Sequence, residues 1–245
     1  MRTASTTATC ARSTRCGCRE YPANRSGFRH SGLGAEVLQT AQPYPVPSSS
    51  DATFRRDPDA LRMNLTPTPL PGVMVVTSSP HTDPRGSFAR LFCERELAGV
   101  LGERRIVQIN HSRTAAVGAV RGMHFQHPPH AETKLVRCLR GRVWDVAVDL
   151  RAESPTFLHW HAEELSPDNH RMVVIPEGCA HGFQVLAPDS ELLYLHTAFY
   201  APETEGGIRH DDPALGIRWP LPVTDLSPRD RSHPLIDAGD RGRAP

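Results

Sequence analysis

The sequence predicts an all-β sandwich or barrel from about residue 70 onwards, with a few short helices. Short apolar segments recur along this part of the chain, and turns rich in Gly, Pro and Asp separate them. Within the segments, apolar side chains recur at every second residue. In residues 142–150, for example, one face carries Trp144, Val146, Val148 and Leu150. This alternation is the period of a β-strand rather than that of a helix.

The predicted strands follow one another with one helix among them. We expect strands at residues 73–76, 87–93, 106–110, 134–139, 142–150, 157–164, 171–175, 181–186 and 191–200. Residues 82–86 should form a turn, and residues 94–102 should form a helix that Gly102 ends. The single Gly141 between two strands predicts a tight hairpin. The tail from Asp211, rich in Pro, Asp and Gly, should wrap over the barrel without adding strands.

Residues 1–62 differ in composition from the rest of the chain. They are rich in Ser, Thr, Ala, Arg and Pro and show no sustained apolar period, which predicts a disordered N-terminal extension. Residues 1–50 contain six Arg and two acidic residues, a bias that also fits a transit peptide. A mis-annotated leader, with translation starting at Met63, is a further alternative. The folded domain is therefore expected to span residues 63–245.

Charge and cysteine content exclude several classes of partner. The 28 basic and 27 acidic residues give a formal net charge of +1, which argues against a nucleic-acid partner. No apolar run is long enough to span a bilayer, so no membrane partner is expected. Cys93, Cys138 and Cys179 lie singly in apolar segments, which fits buried free thiols in a reducing cytoplasm. Cys16-Gly-Cys18 has no second pair with which to complete a metal site.

Lys134 is the only lysine in the sequence, and every other residue with a Lys or Arg side chain is an arginine. A position that keeps lysine can need an ammonium group on a flexible stem, which a guanidinium does not reproduce. Chance retention at the surface is the alternative. His124 lies ten residues earlier, on a segment that should form a neighbouring strand, and this favours a functional site. Lys134 also shares a face with Val136 and Cys138, so it should not simply point into bulk water.

A second strand predicts a polar cavity inside the barrel. One face of residues 191–200 carries Tyr194, His196 and Tyr200, opposite Leu193 and Leu195. The interior should then hold His124, Lys134, Tyr194 and, as a further candidate, His181. A base, a cation and a phenol without a nucleophilic Ser or Cys fit proton abstraction next to a carbonyl. The imidazole would take a proton, the ammonium would stabilise the enolate oxygen, and the phenol would return a proton from the other face.

Residues 176–181, Pro-Glu-Gly-Cys-Ala-His, resemble the second half-motif of the cupins, which are small double-sheet jelly rolls. In many cupins this His binds a metal together with two more His and a Glu. Here Gln126 stands where the earlier motif would place its second His, and His127 and His130 lie beyond it in a Pro-Pro turn. The ligand count falls short of a metal site, so we expect none. A packed histidine is the alternative role for His181.

A longer series of motifs resembles one family. The motifs are Arg85-Gly86, Val107-Gln-Ile-Asn-His-Ser112, Arg121-Gly-Met-His-Phe-Gln126, Lys134-Leu-Val-Arg-Cys138, Asp145-Val-Ala-Val-Asp149, Ser154-Pro-Thr-Phe157, Ile175-Pro-Glu-Gly178, Ala180-His-Gly-Phe183, Tyr200-Ala-Pro-Glu203, Asp212-Pro-Ala-Leu-Gly-Ile217 and Leu226-Ser-Pro-Arg-Asp230. In this order, over residues 71–237, they resemble the dTDP-4-dehydrorhamnose 3,5-epimerases. The resemblance implies a cupin-type double-stranded jelly-roll barrel that forms a homodimer. It would act on a nucleotide sugar, a dTDP-4-keto-6-deoxyhexose, without metal or cofactor.

The resemblance also implies roles for individual residues. It makes His124 the general base and Asp230 its partner in a dyad. Tyr194 becomes the opposing acid, and Lys134 becomes the group that stabilises the 4-oxyanion. The substrate-binding residues at the sugar and diphosphate subsites would be Arg121, His181, Arg85, Gln108, Asn110 and Tyr200. Arginine suits a diphosphate because its forked donors meet paired oxygens.

Three positions depart from the family's pattern. Arg90 stands where an acid is usual, and Ile109 stands where an Asp is usual. Residues 195–200 read Leu-His-Thr-Ala-Phe-Tyr in place of Lys-x-Thr-x-Tyr-Tyr. The acid–base pair is intact, but dTDP, CDP and GDP stay open as the nucleotide, and inversion at C3, at C5 or at both stays open as the reaction. The alternatives are a sugar 3,4-ketoisomerase on the same fold, and a non-catalytic or metal-binding cupin module.

Overall fold

In residues 61–236, which the computed structural model describes, the chain forms two facing antiparallel sheets. The expected leader over residues 1–62 lies almost entirely outside the described residues, as do Cys16-Gly-Cys18 and the end of the tail. The first described strand begins at Met63. No helix within residues 61–236 is both long and apolar enough to cross a membrane.

The strands and helices have the following bounds in chain order: β1 (Met63–Pro67), β2 (Met74–Ser78), β3 (His81–Asp83), β4 (Gly86–Phe88), α1 (Glu94–Leu101), β5 (Gln108–Thr114), β6 (Val120–Gln126), β7 (Lys134–Arg140), β8 (Val143–Asp149), β9 (Trp160–Leu165), β10 (Arg171–Ile175), β11 (Cys179–Val185), β12 (Ser190–His196), β13 (Glu205–Gly207) and α2 (Pro228–Ser232). A six-stranded sheet has the order β1-β2-β10-β7-β12-β5, and a five-stranded sheet has the order β13-β6-β11-β8-β9. Strands β3 and β4 form a separate hairpin.

The main core lies between the two sheets. Its side chains alternate with outward-facing residues along each strand, as the period of two requires. The six-stranded sheet contributes Val136, Cys138, Val173, Ile175 and Leu192, and the five-stranded sheet contributes Val143, Ala147, Cys179, Phe183 and Val185. This packing of two antiparallel sheets makes the domain an all-β, cupin-type jelly roll, as the sequence predicted.

Each sheet also carries an apolar outer layer. On the six-stranded sheet, Leu97 and Leu101 of α1 cover Leu135 and Leu195. Gly102 ends this helix as predicted, and its N–H donates to the carbonyl of Ala98. On the five-stranded sheet, the face that carries Trp144, Val146, Val148 and Leu150 packs against Leu215 and Trp219 of the C-terminal segment. This segment therefore wraps over the barrel, and among its described residues it adds no strand.

The hairpin predicted at Gly141 is wrong. Strand β7 pairs with β10 and β12, whereas β8 pairs with β9 and β11, so the chain passes from one sheet to the other at Gly141. Alternating apolar residues flank the glycine in both arrangements. Only the distant partners of the two strands decide between a hairpin and a crossing.

Several strand boundaries differ from the prediction. The strand predicted at residues 87–93 ends at Phe88, and Arg90 beyond it forms an ion pair with Glu96 of α1. The strand predicted at residues 191–200 ends at His196, which pairs with the first residues of its antiparallel partners β5 and β7. Tyr200 therefore does not share the strand face of Tyr194. Strands β1 and β13 were not predicted. Cys93, Cys138 and Cys179 are free thiols, and Cys138 and Cys179 are buried as expected, whereas Cys93 is partly exposed.

A close approach between β6 and β11 makes Gly182 sensitive to substitution. A Cβ atom there would lie 2.5 Å from the sulfur of Met123 and 2.9 Å from the carbonyl oxygen of Arg121. We expect Gly182→Ala to lower the free energy of unfolding by about 1–3 kcal/mol because of this overpacking.

Gly99 provides the matched control, because it is exposed on α1 and a Cβ there would meet no atom within 4 Å. Gly99→Ala should raise the free energy of unfolding by about 1 kcal/mol through helix propensity. Urea unfolding of both variants measures the two effects. Equal stability of Gly182→Ala and the wild type would contradict the close-packing argument.

Candidate active site

A cavity of about 530 Å³ opens between the two sheets. Strands of both sheets line it: β5, β7 and β12 from the six-stranded sheet, and β6 and β11 from the five-stranded sheet. Its volume lies in the range of small-molecule sites. The inward-facing residues of these strands are apolar in the core between the sheets and polar where they line the cavity. The cavity walls therefore carry the chemically active side chains of the barrel.

His124 and Asp230 form a hydrogen-bonded pair in this cavity. His124 lies on β6, and its Nε2 is 2.9 Å from Oδ1 of Asp230 on α2. A carboxylate accepts hydrogen bonds, so the Nε2–H of His124 donates to Asp230. The dyad that the resemblance implied is therefore present geometrically. From sequence pattern alone, Asp230 was merely a tail acid.

Asp230 is held as a carboxylate by its surroundings. Its side chain is 4% exposed, and Oδ2 accepts the backbone N–H of Gly122 at 3.1 Å. Burial by itself would raise the pKa of Asp230, but the hydrogen bonds from His124 and Gly122 outweigh it and hold the pKa well below its usual range. The hydroxyl of Ser227 caps α2 by accepting from the Asp230 backbone N–H. The cap fixes the residue at the first turn of the helix.

Lys134 stands at the start of β7 with its ammonium inside the cavity. Its side chain is 12% exposed, and Nζ lies 3.2 Å from Oε1 of Glu132 and donates to the His124 carbonyl at 3.3 Å. Val136 and Cys138, which share its face, lie in the core between the sheets. The parity expected from the sequence is therefore confirmed.

Tyr194 reaches the cavity from β12, and its hydroxyl lies 3.1 Å from Oγ of Ser112. Burial is the largest influence on the phenol and raises the pKa of Tyr194 to about 12. Its neighbours Leu193 and Leu195 point to the opposite side, against the layer that contains α1. Tyr194 is thus a protonated phenol at neutral pH and can act as a proton donor.

His181 is paired with a buried acid. It lies on β11 directly opposite His124, and its Nε2 is 2.8 Å from Oδ2 of Asp145. His181 is 6% exposed and Asp145 is 1% exposed. A carboxylate so deeply buried is stable only with such a partner. The two imidazoles of His124 and His181 therefore stand side by side in one wall, each with its own carboxylate.

The remaining predicted residues divide into two groups. Arg121, Asn110 and Tyr200 line the cavity, although Tyr200 does so from the loop after β12. Gln108 does not line it, and its side-chain oxygen instead accepts the backbone N–H of Tyr200. Arg85 lies on the β3–β4 hairpin with its side chain 89% exposed and paired with Asp83, away from the cavity of this chain.

Other cavity residues were not among the predicted site residues. They include Glu132, His196, Glu205 and Arg229. Glu132 lies two residues before Lys134, so strand parity could have placed it on the same side. The Arg229 guanidinium lies 3.1 Å from His124 Nε2 and donates to Glu205 at 2.7 Å. No sequence pattern relates Arg229 and Glu205, because their meeting depends on the path of the C-terminal segment.

One group of side chains has the composition of a metal site. His124, Asp230 and His233 place one donor atom each within 4.8 Å of one another. However, His124 Nε2 already donates to Asp230, and the cationic Arg229 lies against the same nitrogen. A divalent cation would have to displace both interactions. The arrangement therefore favours proton chemistry at His124, and the expectation of a metal-free site stays a prediction.

The cavity brings a base and an acid together from opposite walls. His124 belongs to the five-stranded sheet and Tyr194 to the six-stranded sheet, and the ammonium of Lys134 extends from the latter to the His124 carbonyl. A proton could leave one face of a bound molecule and return to the other, while the cation stabilises negative charge. This arrangement is suited to inverting a carbon next to a carbonyl.

Comparison with known proteins agrees with this geometry. A sequence model described as dTDP-4-dehydrorhamnose 3,5-epimerase matches residues 67–238. The dTDP-4-dehydrorhamnose 3,5-epimerase of Salmonella typhimurium is 42% identical over 172 residues, which cover 69% of this chain and 93% of that protein. A dTDP-4-dehydrorhamnose 3-epimerase of Streptomyces niveus is 39% identical over 185 residues, covering 75% and 89%.

A solved structure extends the comparison to the fold. The dTDP-6-deoxy-D-glucose-3,5-epimerase of Legionella pneumophila, crystallised with dTDP-4-keto-L-rhamnose, superposes with a TM-score of 0.67. It is 39% identical, and the match covers 71% of this chain and 93% of that one. With a family model that matches most of its length, and with relatives of this identity, the chain belongs to the dTDP-4-dehydrorhamnose 3,5-epimerase family.

Proposed function

We propose that the protein is an isomerase that inverts C3, C5 or both in a dTDP-4-dehydro-6-deoxyhexose. The observation that carries the proposal is the convergence of His124, Lys134 and Tyr194 on one cavity from two facing sheets. The Salmonella and Legionella relatives are named as 3,5-epimerases, and the Streptomyces niveus relative as a 3-epimerase. These names support the substrate class and leave both regiochemistries to experiment.

The proposed reaction proceeds through an enolate. The hydrogens at C3 and C5 are acidic because both carbons adjoin the C4 carbonyl. His124 takes one of them, and Asp230 stabilises the imidazolium that forms. The ammonium of Lys134 stabilises the negative charge on the C4 oxygen. Tyr194 then donates its proton to the carbon from the opposite face, which inverts the centre. The phenolate regains a proton from solvent, and the imidazolium of His124 releases its proton to solvent.

Arg121 is the proposed contact for the diphosphate. It lines the cavity from β6, and its Nη1 is held 3.3 Å from Oγ1 of Thr114 on β5. A guanidinium offers paired donors to phosphate oxygens. Asn110, His181 and Tyr200 remain proposed contacts for the sugar and the nucleotide. Arg85 and Gln108 are not supported as contacts within one chain.

Exposed apolar side chains support a homodimer. They lie on the β3–β4 hairpin, on the edge strand β5 and in the loop after β12: Phe88, Ile109, Phe199 and Tyr200, each at least 55% exposed. An unpaired edge strand with apolar neighbours favours burial against another chain. The β3–β4 hairpin, which also carries Arg85, would be available to a second copy.

The free thiols support a location in the cytoplasm. The reducing conditions there would keep Cys138 and Cys179 reduced.

The reaction can be tested by deuterium incorporation. The full chain would be incubated with dTDP-4-dehydro-6-deoxyglucose in D₂O without added metal, and the sugar followed by mass spectrometry and NMR. Inversion at two carbons should add two deuterons, and inversion at one should add one. Transfer of the keto group would instead identify a ketoisomerase. No deuterium would contradict the proposal for this substrate.

Removal of the base should abolish most of the activity. We expect His124→Ala to lower the rate of inversion by about 10²–10⁴-fold, the usual contribution of general base catalysis. His161→Ala is the control, because His161 also pairs with a carboxylate, that of Glu163, but lies outside the cavity. Full activity of His124→Ala would contradict the mechanism.

The phenol of Tyr194 should stay protonated in strongly basic solution. Because burial raises the pKa of Tyr194 to about 12, tyrosinate absorbance near 295 nm should differ between wild type and Tyr194→Phe only well above pH 10. A difference that develops around pH 10, the usual pKa of tyrosine, would show a solvent-exposed phenol and would argue against a buried proton donor.

The dimer should depend on the hairpin. Light scattering should give about twice the chain mass of 27.0 kDa for the wild type. Phe88→Glu should shift the mass towards one chain, since a buried carboxylate without a partner is unfavourable. Val223→Glu, which adds the same charge at an exposed apolar residue of the C-terminal segment, should not shift it. A monomeric wild type would refute the dimer.

A further inference from the structure

A third imidazole–carboxylate pair in the cavity has no part in the proposed mechanism. His196 Nδ1 lies 2.7 Å from Oε2 of Glu132, and the other carboxylate oxygen, Oε1, lies 3.2 Å from Nζ of Lys134. The side chains of Glu132, His196 and Lys134 are 7%, 11% and 12% exposed. One carboxylate therefore bridges an imidazole and the ammonium that the proposed reaction requires.

Strand register creates this arrangement. His196 of β12 is the direct cross-strand partner of Lys134 of β7, so their side chains start close together on the same face. Glu132 precedes Lys134 by two residues and lies on the same side of the chain. His196 stands within the segment after Tyr194, where the chain departs from its family's pattern at the neighbouring Leu195.

His196 also contacts the proposed acid. Its ring stacks on that of Tyr194, with centroids 6.1 Å apart and an interplanar angle of 19°. The amide nitrogen of Asn110 lies 3.3 Å from His196 Nε2. An amide nitrogen only donates, so Nε2 accepts and Nδ1–H donates to Glu132. Hydrogen bonds at both nitrogens thus fix the orientation of the His196 ring, which packs against the ring of Tyr194.

Glu132 is ionised in spite of its burial. Burial alone would raise the pKa of Glu132, but the hydrogen bond from His196 and the charge of Lys134 outweigh it and lower the pKa. Without the carboxylate, Lys134 would keep its hydrogen bond to the His124 carbonyl, at 3.3 Å, and His196 would keep its contacts with Asn110 and Tyr194. Both proposed catalytic groups on the six-stranded sheet therefore depend on this carboxylate, either directly or through His196.

We propose that Glu132 and His196 are positioning residues for the return of the proton: Glu132 holds the ammonium of Lys134 and His196, and His196 holds the ring of Tyr194. This inference rests on the proposed epimerase function. The imidazole of His124 has a separate support, because its Nε2 is held by Asp230 on α2. Loss of the pair should therefore slow protonation by Tyr194 more than deprotonation by His124.

A distinct isotopic signature follows from this difference. If Tyr194 protonates the enolate slowly, the imidazolium of His124 has time to exchange its proton with D₂O. It then returns a deuteron to the same face, which labels the carbon without inverting it. The ratio of labelled, uninverted sugar to inverted sugar measures the partition. A variant that is merely unfolded in part lowers both products together and leaves the ratio unchanged.

The test uses the full chain of His196→Ala and of the near-isosteric Glu132→Gln, with dTDP-4-dehydro-6-deoxyglucose in D₂O. We expect the rate of inversion to fall by about tenfold or more, the scale of a misplaced catalytic group, and the ratio to rise. His161→Ala, which removes a similar pair outside the cavity, should leave both quantities at the wild-type value. Thermal melts would verify folding, and Glu132→Gln serves if His196→Ala does not fold.

The outcomes separate the two proposals. A wild type that neither labels nor inverts the sugar would refute the proposed function. An active wild type whose variants keep the wild-type ratio, whether their rates fall or not, would refute the positioning role alone. A raised ratio in the variants, with none in His161→Ala, would support it.

Discussion

The cavity depends on the register of β12 between β5 and β7. Tyr194 faces Asn110 and Val136 in this register, and His196 faces Lys134. A shift by one residue would turn these polar groups towards α1 and bring Leu193 and Leu195 inside. Because the two leucines pack in the outer apolar layer, that layer holds the register. Ordinary hydrophobic burial on one face of the strand therefore positions polar chemistry on the other.

Three carboxylate–imidazole pairs then make the cavity wall stable. The carboxylates of Asp230, Asp145 and Glu132 have side chains 4%, 0% and 7% exposed, and each accepts from one histidine. An unpaired buried carboxylate would cost several kcal/mol, so each pair offsets its own desolvation. The same contacts fix the orientation of the rings. Charges and dipoles that are fixed before a molecule binds need little reorganisation when negative charge develops, which is what an enolate requires.

The two-sheet architecture explains how the proposed acid and base could act on opposite faces. His124 comes from the five-stranded sheet and Tyr194 from the six-stranded sheet, so a flat ring between the sheets would meet one on each side. The carboxylate that holds His124 comes from neither sheet, since Asp230 follows His124 by 106 residues along the chain. The C-terminal segment supplies it by packing across the outside of the five-stranded sheet and ending in α2.

The sequence by itself determined the all-β class, the helix α1 and the inward faces of β7 and β12, because these follow from local periodicity. The inward faces in turn predicted Lys134 and Tyr194, and the resemblance of motifs added Asp230. Tertiary structure alone decided that the chain changes sheets at Gly141, that Arg85 stands apart from the cavity, and that Arg229 and Glu205 meet beside His124. These features depend on contacts between residues far apart in the chain, and no local pattern of side chains encodes which distant strand or loop a segment will meet.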